Sequence, residues 1–578
     1  MTEREPIVGI DLGTTNSAIG ILENGIPRLI EIDGHPTMPS CVGLDESGGM
    51  VVGQAALNQL AVAPERTVTS IKRRMGSEVP VLLGDREFRA EEISAFILKR
   101  LKAEAERDLG RPVTKAVVTV PAYFDEKQRR ATQDAAQLAG LEAVRILNEP
   151  TAAALAYNLQ DRGRQTILVY DLGGGTFDVS LVVCEKGLVE VKASHGDTRL
   201  GGDDFDETLV HHLTKAWDGK DPLDPNDLRA ARRLKVAAEA AKCRLSDHPF
   251  ANVREEYLGS GSHLEVEVAR EDFEDLVAPL LEKTWEAMHA ALRDADTLPQ
   301  NVDKILLAGG STRIPLVHHM IEARIGLAPS SELNPDLIVA LGAAIQGGII
   351  AGDEVGAILV DIATHTFSTA AMDFDGMSIV CVPIIPRGTP LPVSRSEAFS
   401  TRHDNQEMVK VEVYQGESRN PFENLLIGEF MVEGLGKVPA GNVITSEFSL
   451  DLDGLLEVTA VEKSTGLAKA VTIDTRDVKA SFDLAEARQR VSDTFGGNAA
   501  GETDEAPVPT TDVHEETIRA KDLRKRADKL LAGDLDEEDR IDITSLLDRM
   551  RSAIKIRDFA TLEDCSDQIE DIIFYLEE

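Results

Sequence analysis

The chain has 578 residues, 42% hydrophobic and 28% charged, the balance of an ordinary globular protein with enough apolar content for several packed cores. With 61 basic against 100 acidic residues the formal charge is −39, which argues against nucleic acid or an anionic membrane as main partner. Five scattered cysteines without a Cys-x-x-Cys pair exclude a cysteine-based zinc framework; with no apolar leader and no run of eighteen apolar residues, the expectation is a cytoplasmic protein.

Residues 1–352 alternate short apolar β runs with Ala-, Leu- and Arg-rich helical stretches, the pattern of an α/β sheet domain. Strands are expected at 7–10, 116–120, 167–170 and 305–308, and helices at 90–108, 127–139, 227–246 and 270–295. Residues 353–361 pass from a Gly/acidic break to the apolar run Ile358-Leu359-Val360 and then Asp361, an interdomain linker. Over 362–476 the apolar period becomes two, as in Val409, Val411 and Val413. Asp453-Gly454 marks a tight hairpin there, so an antiparallel β domain is expected. A connecting helix falls within 477–495, a flexible acidic Gly/Pro linker at 496–512, and a helical bundle at 513–578, where Ile543, Leu547, Met550 and Ile554 share a face.

Two loops in the first domain match. Asp11-Leu12-Gly13-Thr14-Thr15 and Asp171-Leu172-Gly173-Gly174-Gly175-Thr176 each follow an apolar strand, as if two similar lobes faced one another. Glycines after a strand let backbone N–H groups approach phosphate oxygens, and the threonine hydroxyls add donors. Carboxylates cannot touch phosphate directly, so Asp11 and Asp171 imply a bridging Mg²⁺ with water ligands. A third loop, Ala308-Gly309-Gly310-Ser311-Thr312-Arg313, strengthens the reading, and the absence of Gly-x-x-x-x-Gly-Lys-[Ser/Thr] excludes a P-loop.

These loops, together with Asn148-Glu149-Pro150-Thr151, Phe399-Ser400-Thr401, Asp404-Asn405-Gln406 and Gln415-Gly416-Glu417, resemble those of the seventy-kilodalton heat-shock chaperones of the DnaK type. The resemblance is close over about residues 5–476 and loose beyond. It implies an actin-like two-lobed ATPase domain, a linker, a peptide-binding β-sandwich and a short helical lid. The implied ligands are ATP, ADP and Mg²⁺. The implied partners are unfolded or extended polypeptide segments, a J-domain co-chaperone and an exchange factor of the GrpE type.

Carried onto this chain, the resemblance implies that Asp11, Glu149, Asp171 and Asp178 organise Mg²⁺, its waters and the attacking water. Lys72 would stabilise charge on the transferring phosphoryl group, while Gly13, Thr14, Thr15, Gly174, Gly175, Thr176, Gly309 and Gly310 cradle the phosphates. Glu239, Lys242 and Ser246 share one helical face and would hold the nucleoside with Ser311, Arg313 and Asp336. By spacing alone Glu239 and Lys242 read more readily as a surface ion pair. Pro121 and Arg129 would relay between nucleotide and linker, and Arg145 and Asp361 would serve the linker and the J-domain partner. Ile358, Leu359 and Val360 would dock on the ATPase domain, or else form an ordinary edge strand. The peptide groove would include Phe367, Thr369, Met372, Arg402, Val409 and Val411.

The chain departs from the family pattern by shortening between Met75 and Glu91. Ala363-Thr364-His365-Thr366-Phe367-Ser368 replaces the usual Thr-Pro-Leu-Ser-Leu-Gly, and Arg402 stands where a small or aromatic residue usually arches over the peptide. His365 and His403 are expected as polar surface residues. Two other functions share the phosphate loops: a sugar-kinase-like phosphotransferase and a nucleotide-dependent scaffold with little turnover. The β domain and linker speak against the first, and the intact Lys72/Glu149/Asp171/Asp178 set against the second.

Overall fold

A computed structural model describes residues 5–496 except 159–162, 218–226, 260–261, 331, 354, 374–377, 464, 466–467 and 473–483; beyond 496 it describes only 546, 547, 549 and 569. Strand Ile7–Asp11 turns into Asn16–Glu23 and Ile26–Ile30 as an antiparallel meander, with Lys115–Val120 and Glu142–Asn148 added in parallel on its other side. The second sheet repeats this plan. Gln165–Leu172, Phe177–Glu185 and Leu188–Asp197 form the meander, and Lys304–Ala308 joins in parallel. The matched loops are the first turns of the two meanders, so the sequence repeat is a repeat of supersecondary structure.

Helices Glu149–Tyr157 and Ile338–Ala351 pack together and are built largely from Ala and Gly. A Cβ on Gly342 would lie 1.8 Å from the Ala152 carbonyl oxygen, so this contact requires glycine. The expected helices appear as Ala90–Leu109, Glu126–Leu138, Leu228–Asp247 and Arg270–Asp294.

The β domain is two four-stranded antiparallel sheets. One runs Ile379–Ile385, Phe367–Met372, Met408–Gln415, Leu425–Glu433; the other Val393–Ser400, Val443–Leu450, Leu456–Glu462, Ala468–Thr472. Alternate residues such as Val411, Val413, Phe430, Phe448 and Val458 fill one core. Linker strand Ile358–Val360 pairs in parallel with Leu188–Asp197 at the edge of the second ATPase sheet, and the Ile358 amide donates to the Gly187 carbonyl at 2.9 Å. The linker therefore attaches by backbone pairing. The Ile358 side chain stays 66% exposed, contrary to an apolar docking of the whole run.

Residues 1–497 form one compact unit. Helix Leu484–Gly496 closes it, burying Ala487 and Val491 in the core of the first lobe while Arg490 Nε pairs with Glu92 at 3.0 Å. A second unit spans Asn498–Glu578, with Leu546, Leu547 and Ile569 buried. The expected flexible linker and helical bundle otherwise lie outside the described residues. Among the described residues no helix is long and apolar enough to cross a membrane.

Candidate active site

The two Gly/Thr loops face each other across a cavity of about 960 Å³, which suits a nucleotide-sized ligand. Ser40 supports the first loop, its amide donating to the Thr15 carbonyl and its hydroxyl to the Gly13 carbonyl, both at 2.7 Å. The Gly173 carbonyl of the second loop accepts from the Ser311 hydroxyl (2.9 Å) and the Gly202 amide (3.0 Å). A Cβ on Gly174 would lie 2.0 Å from Thr15 Oγ1, so the opposed loops approach as closely as they do because residue 174 has none. Gly13, Thr14, Thr15, Gly174, Thr176, Gly309 and Gly310 all border the cavity; Gly175 and Asp178 lie behind it.

At its floor stand Asp11, Glu149 and Asp171 with Lys72. Glu149 begins its helix, and Lys72 sits in the short 3₁₀ turn Ile71–Arg74. The buried ammonium donates to Glu149 Oε1. Burial opposes its charge, yet Glu149, Asp11 and Asp171 together hold its pKa above the usual lysine value. Burial and then Glu149 raise the Asp11 carboxyl to about 7, although the Thr119 hydroxyl donates to it at 3.1 Å. Asp171 and Asp178 are raised well above the ordinary carboxylate range by burial and by their acidic neighbours. One lysine does not offset this crowd of carboxylates, which is the electrostatic signature of a site completed by a cation. Among the described residues no three metal-ligating side chains converge on one point. The donor set therefore fits a hydrated Mg²⁺ shared with phosphate rather than an ion caged by protein.

The nucleoside wall is helix Leu228–Asp247, whose Glu239, Lys242 and Ser246 border the cavity opposite Ser311, Arg313 and Asp336. Lys242 Nζ pairs with Asp206 at 2.8 Å and donates to the Gly202 carbonyl at 3.2 Å, which ties this wall to the second loop. Arg313 bonds Asp336 at 2.6 Å and Asn334 at 3.1 Å. Asn16, Asp247, His318 and Asn334 also border the cavity and were not singled out in the sequence. Asn16 directly follows the first loop motif, a signal that was available; the other three lie outside any motif.

The coupling residues converge at the junction with the β domain. Asp361 Oδ2 accepts from Asn148 Nδ2 (3.0 Å) and Thr151 Oγ1 (3.1 Å), and its Oδ1 accepts from the Ile362 amide (2.8 Å). Buried Arg129 donates to Asn148 Oδ1 at 2.7 Å and to the Ala122 carbonyl at 3.1 Å, just past Pro121. Arg145 Nε pairs with Asp453 Oδ1 at 3.1 Å, and the same oxygen takes the Ile146 amide at 3.1 Å. The Glu126 amide donates to Gln415 Oε1 at 3.2 Å. The sequence marks Asp453 only as a hairpin residue. A turn signal says nothing about a partner so distant in sequence.

The expected peptide groove needs correction. Phe367, Thr369 and Val411 are buried: Phe367 and Val411 lie in the sandwich core, and the Thr369 hydroxyl is bonded to the Glu412 carbonyl at 2.7 Å. Phe367 also borders a small cavity of about 30 Å³ at the domain junction. Val409 is half-buried against the same core; Met372 and Arg402 are exposed. Period-two alternation marks inward residues without telling core from groove. His365 is likewise not a free surface side chain: it is half-buried and packs on Tyr123 of the ATPase domain.

Fold and site together define a two-lobed α/β phosphate-binding domain, of the actin-like ATPase type, locked to a β-sandwich. The family model described as Hsp70 protein matches residues 7–82 and 77–576, and the chain belongs to the Hsp70 family. Membership supports a chaperone role, ATP binding and ATPase activity in general, in company with substrate peptides, J-domain proteins and exchange factors. The two matched segments overlap at residues 77–82, inside the stretch between Met75 and Glu91.

Proposed function

We propose that this protein is an ATP-dependent chaperone in which ATP binding and hydrolysis in the two-lobed cleft control the grip of the β domain on extended polypeptide segments. The observation that carries the proposal is the continuity of the two sites. Asn148 bonds Asp361 and Arg129 at the domain junction, and the next residue, Glu149, bonds Lys72 at the cleft floor. Tyr123, on the β-domain side, donates its amide to Asp178 Oδ1 at 3.1 Å. A ligand that moves Glu149 or Asp178 thus acts on side chains that hold the sandwich.

In this reading the Gly/Thr loops bind the phosphate chain and Lys72 stabilises charge on the transferring group. Asp11 and Asp171 would hold a hydrated Mg²⁺ through its waters, and the ion would supply neutralising charge to the phosphates. Glu149 and Asp178, whose surroundings favour proton uptake at Asp178, orient the attacking water. Phosphoryl transfer asks for positioning and electrostatic clamping, and this set supplies both. J-domain and exchange-factor partners and a cytoplasmic setting complete the proposal; Cys41, Cys184, Cys243 and Cys381 are all free thiols.

The test is ATP turnover with and without an unfolded peptide. Stimulation by peptide supports the proposal. Slow turnover indifferent to peptide favours a scaffold, and a phosphorylated sugar favours a kinase.

A further inference from the structure

His365 stands in the segment that departs from the family pattern, and it sits where the β domain meets the ATPase domain. Its ring centroid lies 4.5 Å from that of Tyr123 at 52°, and its Nδ1 bonds the Thr364 hydroxyl at 3.1 Å. Tyr123, which follows strand Lys115–Val120, packs on it from the ATPase domain, and the charges of Arg129 on helix Glu126–Leu138 and His195 on strand Leu188–Asp197 act on it. From the β domain comes Arg387, in the turn after Ile379–Ile385. The nearby carboxylates are engaged elsewhere. Asp294 Oδ2 accepts from His195 Nε2 at 2.9 Å and from Arg387 Nη2 at 2.5 Å, and Glu417 accepts from the amide and hydroxyl of Thr366. Among the described residues the imidazole bonds no carboxylate, so a proton on it would face two guanidiniums in a desolvated junction.

We propose that the sandwich docks on the ATPase domain only while His365 is neutral, so that acidification releases it and, through Tyr123, loosens the support of Asp178. The inference rests on the reading that the two domains dock and part with nucleotide. Burial, then Arg129, Arg387 and His195, push the docked imidazole down to about 3. Once the domains part, it returns to an ordinary value of about 6.5. The parted form then binds a proton that the docked form refuses. Docking is fully supported above about pH 6.5 and weakens below it, by about elevenfold at pH 5.5.

Other groups at the junction titrate as well: burial lowers His195, which acts in the same sense as His365, while three carboxyls act in the opposite sense. Burial raises Glu126 to about 7 and Asp453 to about 6, and raises Asp361 as well, so through them acid favours the docked form. The contribution of His365 is therefore the difference between the wild type and a variant without the imidazole.

The full-length chain, saturated with Mg²⁺ and a non-hydrolysable ATP analogue, is compared by hydrogen exchange at pH 7.5 and 5.5. The amides of Glu126 and Ile146 report docking, because each donates across the junction, to Gln415 and Asp453. Between the two pH values, the wild type should lose about tenfold more protection than His365→Phe, which keeps a ring against Tyr123 but cannot take the proton. His365→Leu serves as a second non-titrating variant should the first fold poorly. Variants that follow the wild type within about twofold overturn the proposal. Absence of protection at both pH values overturns it together with the docked arrangement, a failure distinct from loss of ATP turnover.

Discussion

Lys72 carries the clearest single-residue expectation. It is 4% exposed and neutralises charge among Glu149, Asp11 and Asp171. Lys72→Ala should leave nucleotide binding largely in place and slow single-turnover hydrolysis about a hundredfold, the effect of removing a preorganised charge clamp. Hydrolysis within tenfold of wild type would refute that role. Gly174→Ala tests the loops instead. Its Cβ would meet Thr15 Oγ1 at 2.0 Å and force the lobes apart, so ATP affinity in a calorimetric titration should fall at least about tenfold while the fold survives. Unchanged affinity would show that the loops have room to spare. The cleft residues could be read from the sequence because Asp, Gly and Thr recur at fixed offsets after two strands. The ring of Tyr123 and the carboxylate of Asp453 could not be assigned their contacts in this way, since their partners His365 and Arg145 lie in a different domain.

The bounds of the expected helices were legible to within a residue or two, because apolar spacing and the flanking polar residues fix them locally; helices such as Gly202–Lys215 and Ile338–Ala351 were not anticipated. What periodicity left open was which neighbour each face meets. Helix Leu484–Gly496 illustrates this: its spacing gave a helix, and the packing puts Ala487 and Val491 against helices Ala90–Leu109 and Glu126–Leu138. Val491→Ala removes two buried methyl groups and should weaken this attachment by about 2 kcal/mol. The readout is faster exchange of the amides in 484–496; exchange at the wild-type rate would contradict the attachment. In the linker, Asp361 uses both carboxylate oxygens as acceptors, for Asn148, Thr151 and the Ile362 amide. Asp361→Asn turns one of them toward a donor. The stranded group should shift docking by about 1–3 kcal/mol, seen as lost protection at the Ile146 amide. An unchanged amide would show that backbone pairing of Ile358–Val360 suffices.

The two domains of an acidic chain have to meet through specific pairs, and here each contributes one arginine to the other. Arg145 of the ATPase domain holds Asp453 of the sandwich, and Arg387 of the sandwich holds Asp294 of the ATPase domain. Between these pairs run the Asn148–Asp361 bond and the Tyr123–His365 ring contact, whose ATPase-side residues adjoin or bond Glu149 in the cleft and Asp178 behind it. The central claim is that nucleotide in the cleft and peptide on the sandwich bias one shared arrangement. It is tested most directly by the release rate of a fluorescent extended peptide from the full-length chain, measured in ADP and in ATP. Release at least about tenfold faster in ATP, with the difference abolished by Asp361→Asn, is the predicted result. Equal release rates in the two nucleotides would contradict it.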